Sequence, residues 1–221
     1  MLNEQIEPMK VLSVNVGQPR DVQSDGKTVL TSIFKTPVQG RIPVRDNNLA
    51  GDRQSDPRVH GGRWKAIYAY PSEHYPFWME QLGVHLSWGS FGENLTIEGL
   101  VERDVHVGDR LRIGSTELVV SQPRMPCYKL GIRFDDPLMV KRFLDSRRSG
   151  FYFSVAVEGD IGVGDSIEVL ARNEARISIP EILRLYIGDE VDPVRLQQAI
   201  ELPALSDAWR GDLRKRLAGS T

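Results

Sequence analysis

The sequence contains two similar segments, Val105-His106-Val107-Gly108-Asp109-Arg110-Leu111-Arg112-Ile113 and Asp160-Ile161-Gly162-Val163-Gly164-Asp165-Ser166-Ile167-Glu168-Val169. In each, a Gly-Asp pair precedes residues in which apolar and polar side chains alternate. Gly and Asp accept the backbone angles of tight turns, and a period of two is typical of a strand with one buried face. Both segments therefore predict a turn that leads into a strand, and we interpret Asp109 and Asp165 as turn formers rather than catalytic residues.

Similar short segments, separated by glycine, recur from Met9 to about Leu170 and predict a barrel or a sandwich. Two helical segments interrupt them, Ser72 to Gly83 with Ser72 as N-cap, and Asp136-Pro137 to Leu144 with Asp136 as N-cap. The predicted strands are Lys10–Val16, Val38–Val44, Ala66–Tyr70, Asn94–Ile97, Arg110–Ile113, Glu117–Ser121, Tyr152–Val157 and Ser166–Leu170.

The composition changes after Arg172, where three helix-start signals follow one another. They are Ser178-Ile179-Pro180, Asp192-Pro193 and Ser206-Asp207, and the helices that they open extend to about Ile187, Ile200 and Leu217. The sequence thus predicts an α+β, mainly β fold in two parts, a domain of residues 1–172 and a three-helix module of residues 176–221. We expect the module to be an appended unit with a surface for a partner.

Overall composition limits the class of protein. The 221 residues carry a formal net charge of −2, which gives no electrostatic case for nucleic acid or an anionic membrane as a partner. The basic last helix is interpreted as a solvated face. A single cysteine excludes an internal disulfide, and no apolar run approaches the ~20 residues of a membrane span. We therefore expect a cytoplasmic protein with no membrane partner.

The one cysteine, Cys127, lies in Ser121-Gln122-Pro123-Arg124-Met125-Pro126-Cys127-Tyr128-Lys129-Leu130, directly after a predicted strand. Two prolines stiffen this loop, and Arg124 makes it electropositive, which favours the thiolate. A thiolate binds soft metals and attacks electrophiles, so Cys127 is a candidate metal ligand or nucleophile. Inert packing of a buried thiol is the open alternative.

Three other segments carry side chains that suit an anionic ligand. His60 precedes two glycines, and the bare amides of that turn lie close in sequence to Lys65. Asn94 follows a Phe-Gly turn and offers both a donor and an acceptor. Arg147 and Arg148 stand at a predicted helix end, where guanidinium groups bind phosphate in a bidentate way. Local backbone satisfaction or a solvated helix end explains each segment equally well.

In their order along the chain, these segments resemble the MOSC family, named for the C-terminal domain of molybdenum cofactor sulfurases. With the three-helix module, the resemblance is to its YiiM-like members and covers nearly the whole chain. The shared segments are Gly51-Asp52-Arg53, His60-Gly61-Gly62, Gly92-Glu93-Asn94-Leu95, Gly108-Asp109, Pro123-Arg124-x-Pro126-Cys127 and Gly162-x-Gly164-Asp165.

The resemblance implies a β-barrel-like fold that binds the molybdenum cofactor, Mo-molybdopterin, with Cys127 as catalytic residue and molybdenum ligand. It also implies, at the level of the family, pyridoxal phosphate binding. The residues that it places around the pterin and its phosphate are His60, Lys65, Asn94, Arg124, Arg147 and Arg148.

The implied activity is that of a molybdenum-dependent oxidoreductase for detoxification, which reduces N-hydroxylated compounds, namely hydroxylamines and N-hydroxylated nucleobase analogues. One cysteine cannot hold an iron–sulfur cluster, so a separate electron-donor protein is expected as a partner. Two alternatives stay open: a non-catalytic carrier of the cofactor or of sulfur, and an interaction module on a vestigial barrel. Homodimer formation is open too. A zinc hydrolase is least favoured, because the four histidines lack paired metal-ligand spacing.

Overall fold

Residues 8–55, 61–189 and 192–219 are described by a computed structural model. Short strands dominate the first 171 residues of the described chain. They are β1 (Lys10–Val16), β2 (Arg20–Ser24), β3 (Lys27–Thr31), β4 (Thr36–Val38), β5 (Arg41–Arg45), β6 (Asn48–Leu49), β7 (Ile67–Pro71), β8 (Leu95–Glu98), β9 (Arg110–Ile113), β10 (Thr116–Pro123), β11 (Phe151–Val157), β12 (Gly159–Gly162) and β13 (Ile167–Ala171).

In the described part of the chain, eight strands form one sheet in the order β13-β9-β10-β11-β7-β8-β1-β4. Neighbouring strands are antiparallel except β7 and β8, which are parallel. Backbone hydrogen bonds from Val11 N to Asp165 O (2.9 Å) and from Ile167 N to Met9 O (2.8 Å) join β1 to the start of β13. These bonds close the sheet into a barrel, which is one of the two architectures that the strand pattern predicts and the one that the family resemblance implies.

The described helices are α1 (Tyr75–Leu82), α2 (Tyr128–Phe134), α3 (Met139–Ser146), α4 (Ile179–Ile187), α5 (Pro193–Glu201) and α6 (Asp207–Gly219). The first three lie within the barrel segment, and the last three form the predicted C-terminal module. Ser178 and Asp192 cap α4 and α5 with their side chains, which confirms both start signals. No described helix has the length and apolarity needed to cross a bilayer.

Strand β7 separates two apolar cores, because successive side chains point to opposite faces of a sheet. Ile67 and Ala69 belong to the main core, which fills the barrel. Tyr68 and Tyr70 belong to a second, aromatic core that includes Phe143 of α3. All five residues of β7 are buried as a result, so the strand lies at the centre of the fold.

The C-terminal module is present as predicted, and its helices pack into the main core of the barrel. Ile179 and Leu185 of α4 are fully buried in the same cluster as Leu118 of β10. The backbone also continues from barrel to module, since Val107 N donates to Ile177 O at 2.9 Å. Helix α4 therefore completes the packing of the barrel.

Most of the predicted elements are present, and the differences have local causes. The predicted strand Val38–Val44 is divided into β4 and β5, because Gly40 adopts a positive φ of 83° between them. Helix α1 begins at Tyr75, after a 3₁₀ turn, and Ser72 makes no capping bond. Helix α3 begins at Met139 rather than Asp136, whose carboxylate instead accepts from Leu138 N at 2.8 Å.

Candidate functional site

A cavity of about 660 Å³ of empty space, which includes its open mouth, lies beside the centre of the barrel. Neighbouring strands bring its lining together. Tyr68 of β7 is paired in register with Tyr152 of β11, and their rings are 5.1 Å apart. Arg124 directly follows β10, and Asn94 directly precedes β8. Residues that are far apart in sequence meet here because β10, β11, β7 and β8 are adjacent in the sheet.

Four of the predicted site residues line this cavity, namely Lys65, Asn94, Arg124 and Cys127. Sequence reasoning missed Lys35, Asp52, Tyr68, Lys129 and Tyr152 as site residues, and these also line it. Asp52 lies in one of the quoted glycine segments, and Lys129 lies two residues after Cys127, so both carried a signal in the sequence.

Cys127 lies in the loop between β10 and α2, and its free thiol is half-buried at the cavity. Two cations are close enough to interact with it. Burial lowers the pKa of Lys65, and the neighbouring Cys127 opposes this shift. Burial also acts to lower the pKa of Arg124, but the phenols of Tyr68 and Tyr152 and the thiol of Cys127 outweigh this effect and raise it. Lys65 and Arg124 thus line the same cavity as the Cys127 thiol.

Arg124 is the most unusual group in the cavity. It is only 6% exposed, and its Nη1 has no hydrogen-bond partner among the described residues. The guanidinium lies over the rings of Tyr68 (4.9 Å) and Phe143 (5.3 Å) rather than against a carboxylate. Buried donors are normally paired, and a charged one more so, so this donor calls for an anionic ligand.

Asn94, which lines the cavity, forms hydrogen bonds within the cavity wall. Its Oδ1 accepts from Tyr68 N at 3.1 Å, and its Nδ2 donates to Asp52 Oδ2 at 3.0 Å. Asp52 Oδ2 also accepts from Lys35 Nζ at 2.6 Å. Asn94 thus satisfies local backbone, as one of the open alternatives has it, and at the same time fixes an ion pair on the cavity wall.

The lining is strongly cationic within the described residues. Lys129 of α2 is buried and donates to Ser55 Oγ at 2.9 Å. Asp52 is the only carboxylate among the described lining residues, and it is paired with Lys35. The cations of the lining are Lys35, Arg53, Lys65, Arg124 and Lys129.

Arg147 and Arg148, predicted as site residues, are not among the residues that line the cavity. Arg147 pairs with Asp189 just after α4, so it connects the end of α3 to the module. Arg148 lies over the ring of Phe77, at 3.7 Å from its centre. The predicted role of His60 lies outside the described residues.

Glu93, next to Asn94, serves the structure of the loop. Its carboxylate accepts from Gly89 N (2.8 Å), Phe91 N (3.0 Å) and Thr96 Oγ1 (3.0 Å). It also accepts from the hydroxyl of Tyr75, and burial raises its pKa. These bonds hold the turn that carries Asn94 into the cavity wall.

The donor set fits a metal group that brings most of its own ligands. In the described part of the chain, no three His, Cys, Asp or Glu side chains come together as metal ligands. Cys127 therefore offers a single soft sulfur ligand. The unpaired Arg124 donor and the lysines of the lining together offer a binding site for phosphate. A phosphorylated, dithiolene-bound molybdenum group matches both features.

The comparison with protein families agrees with this geometry. Residues 56–168 match the model of the MOSC domain, and residues 177–219 match the model of the YiiM-like, 3-alpha helix domain. The chain belongs to the MOSC family. MOSC domains are generally associated with binding of the molybdenum cofactor. Lys65, Asn94, Arg124 and Cys127 fall within the MOSC match, whereas Lys35 and Asp52 precede it.

Three relatives place this MOSC protein more closely. The uncharacterized protein YflK of Bacillus subtilis (strain 168) is 40% identical over 210 residues, which cover 95% of each chain. The crystal structure of YiiM from Geobacillus stearothermophilus matches with a TM-score of 0.80 at 37% identity, covering 95% of this chain and 100% of that one. A protein named "Reductase" from Gibberella moniliformis is 28% identical over 215 residues, 96% of this chain and 38% of its own length.

Proposed function

We propose that this MOSC protein binds the molybdenum cofactor and reduces N-hydroxylated compounds to amines with electrons from a separate redox protein. The observation that carries the proposal is the buried, unpaired Nη1 of Arg124 in the same cavity wall as the Cys127 thiol. The Arg124 guanidinium needs an anion, and the phosphate of the cofactor would supply it. The Cys127 thiol offers a soft ligand, and the molybdenum of the cofactor would accept it.

The side chains that line the cavity would contact different parts of the cofactor. Cys127 would bind the metal through sulfur, and Arg124, Lys65 and Lys129 would hold the phosphate. Lys35 is neutralised by Asp52 and is not required for phosphate. Tyr68 and Tyr152 would form an apolar wall against the pterin. When bound, the cofactor supplies two-electron redox chemistry.

The reaction balances with water as the second product. Reduction of R–NHOH to R–NH₂ consumes two electrons and two protons, breaks the N–O bond and releases water. The chain contains one cysteine, so a cysteine-held iron–sulfur cluster cannot deliver these electrons. The relative named "Reductase" is compatible with this reaction type, and its match spans 96% of this chain and 38% of its own length.

The test uses protein purified from a host that makes the cofactor and from an otherwise identical host that does not. We expect molybdenum only in the first preparation, together with reduction of hydroxylamine and of an N-hydroxylated adenine when a reduced viologen dye supplies electrons. Molybdenum without turnover, followed by cofactor transfer to a cofactor-free molybdoenzyme, would instead support a carrier. Protein without molybdenum from both hosts would contradict the proposal.

A further inference from the structure

The ion pair of Lys35 and Asp52 is a second feature of the cavity. The proposed function gives it no role, because it assigns Cys127 to the metal and other cations to the phosphate. Lys35 Nζ lies 2.6 Å from Asp52 Oδ2, and the two side chains are only 9% and 2% exposed. Both residues line the same cavity as Cys127. Both also precede residue 56, where the MOSC match begins.

The carboxylate of this pair is held rigidly. Asp52 Oδ1 accepts from Gly17 N at 2.8 Å, while Oδ2 accepts from Asn94 Nδ2 at 3.0 Å in addition to Lys35. The backbone of Lys35 packs closely against Gly89, where an added Cβ would lie 2.8 Å from Lys35 O, and Lys35 N donates to Ile33 O at 3.0 Å. The ammonium therefore has a defined position on the cavity wall.

The stability of the fold does not explain why this ion pair is buried. Removing two charges from water carries a large desolvation penalty, and apolar replacements of buried ion pairs are often neutral or stabilising. The pair carries no net charge, so it adds little to the attraction of an anion. A buried acid–base pair on the wall of a cavity is instead a common arrangement for proton transfer.

We propose that Lys35 donates a proton to the leaving oxygen of the substrate and that Asp52 is the positioning residue that orients its ammonium. The inference rests on the proposed reductase function. As the N–O bond takes up two electrons from the donor protein and breaks, Lys35 would transfer one proton to the hydroxyl oxygen, which leaves as water, and solvent would supply the second proton to the nitrogen to give the amine. Lys35 then regains its proton from solvent.

The charged surroundings of Lys35 suit this role. Asp52, Glu93 and Arg124 face it from three different loops, the first two with negative and the last with positive charge. Burial lowers the pKa of Lys35, and Asp52 opposes the shift. An ammonium that releases its proton more readily than an exposed lysine is a better general acid near neutral pH.

The first test compares Lys35→Arg and Lys35→Ala with the wild-type holoprotein, since an arginine keeps the charge but does not release a proton in this pH range. We expect Lys35→Arg to retain folding, Lys35→Ala to be folded but less stable because Asp52 is left as an unpaired buried charge, both to retain bound molybdenum, and kcat to fall about 100-fold or more in both. In Lys35→Ala, small alkylammonium ions should restore part of kcat in proportion to their acidity. Lys141→Ala, at an exposed site, is the matched control.

Two results distinguish failure of the Lys35 proposal from failure of the proposed reductase function. If the wild-type holoprotein reduces the substrate and Lys35→Arg keeps its kcat and pH profile, Lys35 is not the proton donor although the reductase function stands. If the wild type reduces nothing, both proposals fall.

A measurement without cofactor gives an independent readout. We expect the ¹⁵N signal of Lys35 to titrate at lower pH than that of the free amino acid lysine, and at lower pH still in Asp52→Asn. A Lys35 signal that titrates with the free amino acid and does not respond to Asp52→Asn would overturn the assignment.

Discussion

The guanidinium of Arg124 lies 4.9 Å from the centre of the Tyr68 ring. Tyr68 belongs to the central strand β7, so the contact connects the cavity to the most deeply packed part of the fold. A ring face attracts a cation with about 2 kcal/mol when both are desolvated, which helps a buried arginine to persist without a carboxylate. In this arrangement Nη1 stays buried and without a hydrogen-bond partner among the described residues.

Arg124→Met tests whether this nitrogen binds phosphate. In cofactor-free wild-type protein, phosphate at 100 times its dissociation constant should raise the free energy of unfolding by about 2.7 kcal/mol. The variant should lose most of this gain, because the unpaired donor of Arg124 is gone. The small remaining gain comes from Lys65 and Lys129, which are unchanged. Thermal denaturation with and without phosphate measures it, and Arg103→Met, at an exposed position, is the control. Equal stabilisation of both variants would show that phosphate binds elsewhere.

Cys127→Ser separates metal binding from folding. The thiol is half-buried beside an open cavity, so we expect the free energy of unfolding to change by no more than about 0.5 kcal/mol. Molybdenum content and reductase activity should both fall to background, because a hydroxyl is a poor ligand for a soft site. Chemical denaturation and metal analysis of the same preparations decide the matter. A soluble variant with full activity would remove Cys127 from the mechanism.

The barrel was largely predictable because its strands follow the alternation of apolar and polar residues, as in β1 and β9, whose bounds agree with the prediction. The hairpin of β2 and β3 was missed because both strands are largely exposed and lack an apolar face. Its turn, Asp25-Gly26, has positive φ at both residues and was the available signal.

Part of the candidate site was predictable from a single segment of the sequence. Arg124 and Cys127 are close neighbours in sequence, and Lys129, which was missed, follows two residues later. The ion pair of Lys35 and Asp52, and its bond to Asn94, exist only because the chain returns to the same wall after long separations. Local patterns contain no information on such contacts.

Asp109, interpreted as a turn former, also carries a pH-dependent contribution to stability. Burial alone would raise its pKa, but hydrogen bonds from Asn173 N, Arg172 and His106 outweigh this and lower it below 3.8. A carboxyl with a lowered pKa stabilises the fold above its unfolded pKa, and this contribution is lost as the pH falls through the folded value.

Asp109→Asn should therefore lower the free energy of unfolding at pH 7 by about 2 kcal/mol, less than the ~3–5 kcal/mol of a fully buried pair. The reduced figure follows from Arg172, whose side chain is 30% exposed. The difference from wild type should shrink as the pH drops below 3.8, which denaturation at several pH values measures. A difference that is constant from pH 7 to pH 3 would contradict the linkage.

The shared core predicts that barrel and module unfold together. Leu185 of α4 is fully buried in that core, whereas Val194 of α5 is 66% exposed. Leu185→Ala should lower the free energy of unfolding by about 2–5 kcal/mol, and Val194→Ala by no more than about 0.5 kcal/mol. Trp209, stacked on Tyr186, reports on the module, and Trp78 reports on the aromatic core of the barrel segment.

Single-tryptophan proteins that retain one or the other reporter should show the same denaturation midpoint, and Leu185→Ala should shift both midpoints equally. Because α4 packs against β10, which leads into Arg124 and Cys127, the same substitution should also weaken retention of molybdenum. Truncation after Arg172 would expose the apolar surface under α4, so we expect it to yield insoluble or metal-free protein. Two separate midpoints, with the Trp78 transition untouched by Leu185→Ala, would show instead that the module folds on its own.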